Sequence, residues 1–165
     1  HMKEIILVRH AKSDWGNALL PDFERPLNER GKKDAPVMGE RLRKRMPSVD
    51  AFISSPARRA RKTATFFAKA YGLDKTAVRL IDELYEPSVN NFVHVISTLD
   101  DALSTVVIFS HNNGITDFAN SLTNARIDNM PTCGIFAVKV MTGQWKEFMS
   151  AEKAFDFFDS PKAEL

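Results

Sequence analysis

Four places in the 165-residue chain put chemically capable side chains directly behind apolar runs. Arg9 and His10 follow Ile5-Ile6-Leu7-Val8 without a spacer, and Arg58 and Arg59 follow Ala51-Phe52-Ile53 and the Ser54-Ser55-Pro56 turn. Glu83 and Glu86 follow residues 77–81, and His111 follows residues 105–109. A short β-branched run bounded by turn residues reads as a buried strand, and in an open α/β sheet ligands sit beyond the carboxyl ends of the strands. If the four strands are parallel, their exits share one edge, and two imidazoles meet several guanidinium groups there. Such a set suits a tetrahedral dianion, because guanidinium forks pair with its oxygens and a helix N-terminus adds N–H donors. A neutral imidazole can also attack phosphorus, while the cations offset charge spreading over the equatorial oxygens. Alone, an Arg-His pair is as well explained as the end of a surface strand; the residues at the other exits favour a site.

The intervening sequence supplies the elements that must position these groups. Residues 15–30 form a long polar connection with Pro21 and Pro26, a length that compact domains usually reserve for function. Ala35, Met38, Leu42 and Met46 then recur at helical spacing, with Asn28 or Asp34 as cap. Pro36 fits the first turn if that helix starts at Asp34 and bends it if it starts at Asn28. After the second strand, Ser55 is a suitable N-cap and Pro56 a suitable first helical residue, and Ala57, Ala60, Ala64, Phe67, Ala68 and Tyr71 form a close-packing face ended by Gly72. Residues 82–88 read as a loop, 89–99 as a helix with Val89, Phe92, Val93 and Ile96 on one side, and 114–122 as another helix. Residues 134–141 and 144–150 alternate as a hairpin about Thr142-Gly143. Phe155, Phe157 and Phe158 suggest that part of the tail from Glu152 packs down. The order βαβαβαβα followed by ββ predicts a three-layer α/β/α sandwich with a mostly parallel central sheet.

Bulk properties narrow the class. Residues 3–165 are expected to form a single domain, with His1 and Met2 as a cloning remnant. The single cysteine, Cys133, excludes an intramolecular disulfide, and no apolar run approaches the roughly 20 residues of a membrane span. Lys3 and Glu4 precede only a four-residue apolar stretch, so no signal peptide is expected and the cytoplasm is the expected compartment. The net charge of +2 is uneven: residues 1–62 hold 15 Lys/Arg against 8 Asp/Glu, which suits an anionic ligand. Arg58, Arg61 and Lys62 lack interleaved aromatics and read as a solvated helix face, so no nucleic-acid partner is expected. Cys133 has Lys139 where a cysteine-phosphatase loop would need arginine, and no GxxxxGK[ST] loop occurs. His10, His94 and His111 lack HxH or HExxH spacing, so no metal and no other cofactor is expected. His94 reads as surface or packing, Trp15 as pocket wall or core, and Arg25 as a phosphate anchor or a partner of Asp22 or Glu24. Nothing indicates the oligomeric state.

Three motifs, LVRHAKS, SSPARRARKTA and SHNNG, in this order after alternating strands, resemble the histidine phosphatase superfamily, the phosphoglycerate mutase-like proteins, and specifically the short SixA-type phosphohistidine phosphatases. The resemblance runs from Ile5 to about Val140 and includes RPLNERG at residues 25–31. It implies that His10 is the nucleophile that becomes phosphorylated, that Arg9 and Arg59 (rather than Arg58) bind phosphate, and that His111 contacts the transferring phosphoryl group. Ser13 and Asn112 become further phosphate-binding positions. Ala11 replaces the usual glycine, as is common in the SixA-like branch, and Gly16 replaces an asparagine of larger members; neither change removes a charge.

Larger members protonate an alkoxide leaving group with a carboxylic acid after the third strand, and Glu83 is kept as the candidate here, with Glu86 nearby. The SixA-like branch lacks a dedicated acid. That is intelligible, since the nitrogen of a phosphohistidine leaves as an imidazole, whose conjugate acid has a pKa of about 6.5. The expectation is therefore a metal-independent phosphatase working through a phosphohistidine-enzyme intermediate on protein-bound phosphohistidine or another small phosphorylated molecule, in a signalling role. The alternatives are a phosphomonoesterase of small metabolites, which requires Glu83 or Glu86 to face the phosphate, and a non-catalytic phosphate-binding signalling protein.

Overall fold

The computed structural model describes residues 1–163. Its strands are β1 (Lys3–Arg9), β2 (Ala51–Ser54), β3 (Val78–Leu80), β4 (Thr105–Ser110), β5 (Ile135–Val140) and β6 (Lys153–Asp159), joined in one sheet of order β3-β2-β4-β1-β5-β6. The first four are parallel, and β5 and β6 add antiparallel. The helices are α1 (Glu29–Arg45), α2 (Arg58–Ala70), α3 (Val89–Ser97) and α4 (Gly114–Leu122).

β1 is buried on both faces, as its unbroken apolar run requires. Its alternating side chains serve two cores. Ile6 and Val8 pack with Met38 and Leu42 of α1 and Phe67 of α2, while Ile5 and Leu7 pack with Phe92 and Ile96 of α3 and Phe118 of α4. The result is the expected three-layer sandwich. Its handedness explains where the crevice lies. From β1 the chain steps to β2 and β3 in one direction, with α1 and α2 on one face; it then reverses to β4, which moves α3 to the other face because parallel crossovers are right-handed, and α4 packs there beside α3. β1 and β4 are neighbours whose exits depart towards opposite faces, and such a switch point opens a crevice at the strand ends. Among the described residues, no helix is long and apolar enough to cross a membrane.

Two expectations about elements are corrected, and the cap of the first helix is decided between its two candidates. The partner of β5 is β6, not residues 144–150. Trp145 and Phe148 are both buried, and their three-residue spacing forms a 3₁₀ turn at Trp145–Glu147, where the indole N–H donates to the Leu103 carbonyl (2.9 Å). A register shift at Ala137/Val138 interrupts the pattern of β6, which leaves Phe155 and Phe158 partly exposed and only Phe157 buried. The second helix starts at Arg58 rather than Pro56, because the Ser55 hydroxyl accepts the Ala57 N–H (3.1 Å) in a turn ahead of it. α1 is capped by Asn28, whose side chain accepts the Gly31 N–H (2.8 Å), so Pro36 lies inside the helix.

Candidate active site

The ends of β1, β2 and β4 are locked together where the candidate residues emerge. Arg9 is paired with Ser110, the His10 N–H donates to the Ser110 carbonyl (3.1 Å), and the Ser55 N–H donates to the Phe109 carbonyl (3.0 Å). His10 and His111 therefore leave adjacent strands side by side, with ring centroids 5.1 Å apart. Helix α1 closes on the loop behind His10: the Lys12 carbonyl accepts the Asn28 N–H (3.0 Å), and a Cβ at Gly31 would lie 2.2 Å from that carbonyl oxygen. Only glycine permits that approach.

Local hydrogen bonds fix the tautomers. The Nδ1 of His10 lies 2.7 Å from the Ala11 carbonyl oxygen, which can only accept, so Nδ1 carries the proton and Nε2 the lone pair. The Ala11 N–H donates to Thr63 Oγ1 (2.9 Å), whose hydroxyl donates to the Arg59 carbonyl (2.8 Å). One buried threonine thus ties the His10 loop to the helix that carries Arg59. Thr63→Val strands the Ala11 N–H and is expected to cost about 1–3 kcal/mol in denaturant unfolding, with Thr63→Ser close to the parent. At His111, the Ser55 hydroxyl accepts the Ala57 N–H, and the one acceptor for its own proton among the described residues is Nε2 at 2.7 Å. The remaining ring proton is then on Nδ1, a buried donor with no partner among the described residues.

Both rings are held neutral. Burial, helped by the charges of Arg59, Arg9 and Arg25, pushes His10 down to about 3 against the opposing pull of the Ala11 bond. Burial and the neighbouring His10 and Arg59 push His111 down to about 2. A neutral His10 with its lone pair on Nε2 is in the state a nucleophile needs.

Two of the surrounding cations are fixed by one carboxylate. Asp22 pairs with Arg25 (3.0 Å) and Arg59 (3.0 Å) and accepts the Tyr85 hydroxyl (2.6 Å). Although partial burial works to raise it, the Tyr85 hydroxyl and the two arginines hold Asp22 down at about 2. Arg9 is anchored by the Met130 carbonyl (2.7 Å), and the Arg25 guanidinium lies 3.3 Å from the Trp15 ring centroid. Three guanidinium groups against one carboxylate leave a net excess of two positive charges. Among the described residues, seven buried side-chain polar atoms lack a partner, and five are donors here: Nε of Arg9, Arg25 and Arg59, Nη1 of Arg25, and Nδ1 of His111. Buried donors are costly to leave unpaired, so their concentration at one place marks where acceptor oxygens belong.

These groups line a cavity of about 420 Å³ with Lys12, Ser13, Asn112 and Thr132. The structure therefore brings together His10, Arg9, Arg59, His111, Ser13 and Asn112; the Asn112 amide is bonded to Asn129 and Thr116. It does not bring in Glu83. That carboxylate is turned onto His94 (2.8 Å) and Asn91 (3.3 Å), since the 3₁₀ turn at Asp82–Leu84 faces it along α3. Glu86 instead lines an adjoining cavity of about 390 Å³ with Tyr85, Asp22, Arg59 and His111. Trp15 is an exposed wall of the His10 cavity, and Arg25 is both a wall and a partner of Asp22. Asp22 was legible only as a partner for Arg25, while Tyr85 and Thr63 carried no signal, being a lone phenol after a weak strand and a threonine in a basic helix. Among the described residues, no group of three or more His, Cys, Asp or Glu is gathered to hold a metal ion.

Fold and site together define a class: a three-layer α/β protein whose switch-point crevice presents two neutral imidazoles and buried guanidinium donors to an oxyanion. The model of the histidine phosphatase superfamily (branch 1) matches residues 5–95. An uncharacterized protein of Mycobacterium leprae, ML1117, is 31% identical over 159 residues, which cover 88% of this chain and 95% of that protein. The chain belongs to the histidine phosphatase superfamily. Among solved structures, the protein histidine phosphatase SixA complexed with tungstate superposes with a TM-score of 0.79 at 19% identity, over 96% of this chain and 97% of that one. A mycobacterial glucosyl-3-phosphoglycerate phosphatase superposes at 0.70 and 17%, over 94% and 98%. Both share the phosphoglycerate mutase-like fold.

Proposed function

We propose that the protein is a phosphatase that takes the phosphoryl group of a phosphohistidine onto Nε2 of His10 and passes it to water. As the His10 Nε2–P bond forms, the substrate N–P bond breaks, and the leaving ring departs as neutral imidazole with a proton taken up from solvent on its other nitrogen. Water then attacks phosphorus, the Nε2–P bond breaks with its electron pair returning to Nε2, and the water's oxygen and both its protons leave on inorganic phosphate as dihydrogen phosphate. Arg9, Arg25, Arg59 and Nδ1–H of His111 supply the donors that the equatorial oxygens require, the role a metal ion plays elsewhere.

One observation carries the choice of leaving group. Among the described residues, the sole carboxylate lining the His10 cavity is Asp22, and at about 2 it is ionised at neutral pH and has no proton to give. General acid help contributes typically about 10²–10⁴ in rate, so a site without it favours a leaving group that departs unaided. An imidazole does; an alkoxide does not. A second reading, phosphomonoester hydrolysis, is favoured by Glu86 in the adjoining cavity beside Tyr85 and His111.

The test compares a phosphohistidine peptide with an alkyl phosphate, each with and without chelator, on the parent protein and Glu86→Gln. The expected result is faster turnover of phosphohistidine, unchanged by chelator or by Glu86→Gln. Preferred hydrolysis of the alkyl ester, with a loss of about 10²-fold or more in Glu86→Gln, would establish the second reading instead.

A further inference from the structure

A second groove adjoins the cavity that holds His10. Lys12 and Thr132 line both, and the groove is completed by Arg30 and Asp34 of α1, Pro131, and the segment Ser160-Pro161-Lys162 that follows β6. Its volume is about 230 Å³, ample room for a side chain. The walls are built. Lys12 is rooted by the Asn28 N–H on its carbonyl and by the contact with Gly31, while its side chain is exposed. The outer wall is held by Arg41, whose guanidinium bonds the Asp159 carboxylate and the carbonyls of Ser160 (3.3 Å) and Ala163 (3.4 Å).

The charge of the groove follows from its pairing. Arg30 grips both oxygens of Asp34 (3.1 and 3.0 Å), so those two cancel. Lys12 and Lys162 remain, and neither pairs with a carboxylate among the described residues. The long connection after His10 also presents apolar surface at the His10 cavity, where Trp15 is 75% exposed. An exposed aromatic ring near a cationic groove suits the surface of a protein better than a free metabolite.

Resting on the phosphohistidine reading, we infer that this groove is a second anion subsite, which takes an aspartate or glutamate side chain flanking the phosphohistidine of a substrate protein. The reacting phosphoryl group enters among Arg9, Arg25 and Arg59, and the neighbouring carboxylate is received between Lys12 and Lys162. The subsite acts on recognition and not on chemistry, so it moves KM and leaves kcat alone.

Lys162 lines the groove and not the His10 cavity, so Lys162→Glu is the variant of choice. Parent and variant are compared on two phosphohistidine peptides, one with acidic and one with neutral flanks, and on an aryl phosphate. The expected result is a KM for the acidic peptide raised about three- to six-fold in Lys162→Glu, as for reversal of one exposed charge, with kcat unchanged. The neutral peptide and the aryl phosphate are expected to respond by less than about two-fold, and high salt to erase the difference. Equal KM responses to both peptides, or none to either, overturn the subsite while leaving the phosphohistidine reading intact. Hydrolysis of the aryl phosphate with no turnover of either peptide overturns both.

Discussion

Replacing His10 with alanine is expected to lower turnover of every phosphorylated substrate by about 10⁴-fold or more, since loss of a covalent nucleophile removes the whole two-step route. The effect differs in kind from loss of a phosphate ligand. Removing one preorganised donor typically costs about 10²–10³, because the remaining donors still hold the charge. His10 is a neutral ring with Nδ1–H committed to the Ala11 carbonyl and Nε2 unprotonated, beside five buried donors that await acceptors. In His10→Ala the cationic pocket persists, so the variant is expected to bind phosphate or tungstate while turning nothing over. Steady-state assays paired with oxyanion titration check both halves. Full turnover in His10→Ala would place the chemistry elsewhere.

The same burial that keeps the imidazoles neutral makes the protein sensitive to acid. His10 and His111 have folded values near 3 and 2, against an unfolded value near 6.5. Below 6.5 the unfolded chain takes up protons that the folded chain refuses, so stability present above 6.5 is lost as pH falls towards those lower values. Glu4 works the other way. Burial, reinforced by Asp156, pushes its carboxyl up to about 8, and its stabilising share is complete below about 4.5 and lost as pH rises through 8. Between 6.5 and 4.5 the two histidines outweigh Glu4 by one proton, a slope of about 1.4 kcal/mol per pH unit. Below 4.5 Glu4 no longer offsets them, and the slope steepens to about two protons. Asp22, held at about 2, adds to the loss below 3.8. Urea unfolding across pH 4–7.5 checks this, and His10→Ala is expected to shed one proton from the acid slope. An unchanged slope in that variant would show that His10 is already protonated in the folded protein.

Much of the site was legible in sequence because its residues sit within five positions of a strand exit. Once residues 5–8, 51–53 and 105–109 are read as parallel strands, His10, Arg59 and His111 must share an edge. The parts that were not legible depend on partners distant in sequence. Asp22 acquires its role only when the long connection folds back on Arg59, 37 residues away, and on Tyr85, 63 residues away. Glu83 looks well placed as a position after β3, yet the turn directs its carboxylate to His94, eleven residues on. The edge strand was misplaced for a related reason: Trp145 and Phe148 are as apolar as a strand requires, and only their packing under α3 and α4 decides for a turn. A register shift blurred the alternation of β6, which concealed the true partner of β5.

The central claim is that the phosphoryl group travels on Nε2 of His10. Rapid quenching during turnover of a phosphohistidine peptide, followed by mass-spectrometric mapping and ³¹P NMR of the trapped protein, tests it most directly. The account predicts a single acid-labile, alkali-stable phosphoryl group on Nε2 of His10, present in the parent and absent from His10→Ala. A phosphoryl group on Ser13 or another residue, or product formation with no phosphoenzyme at any quench time, would contradict it.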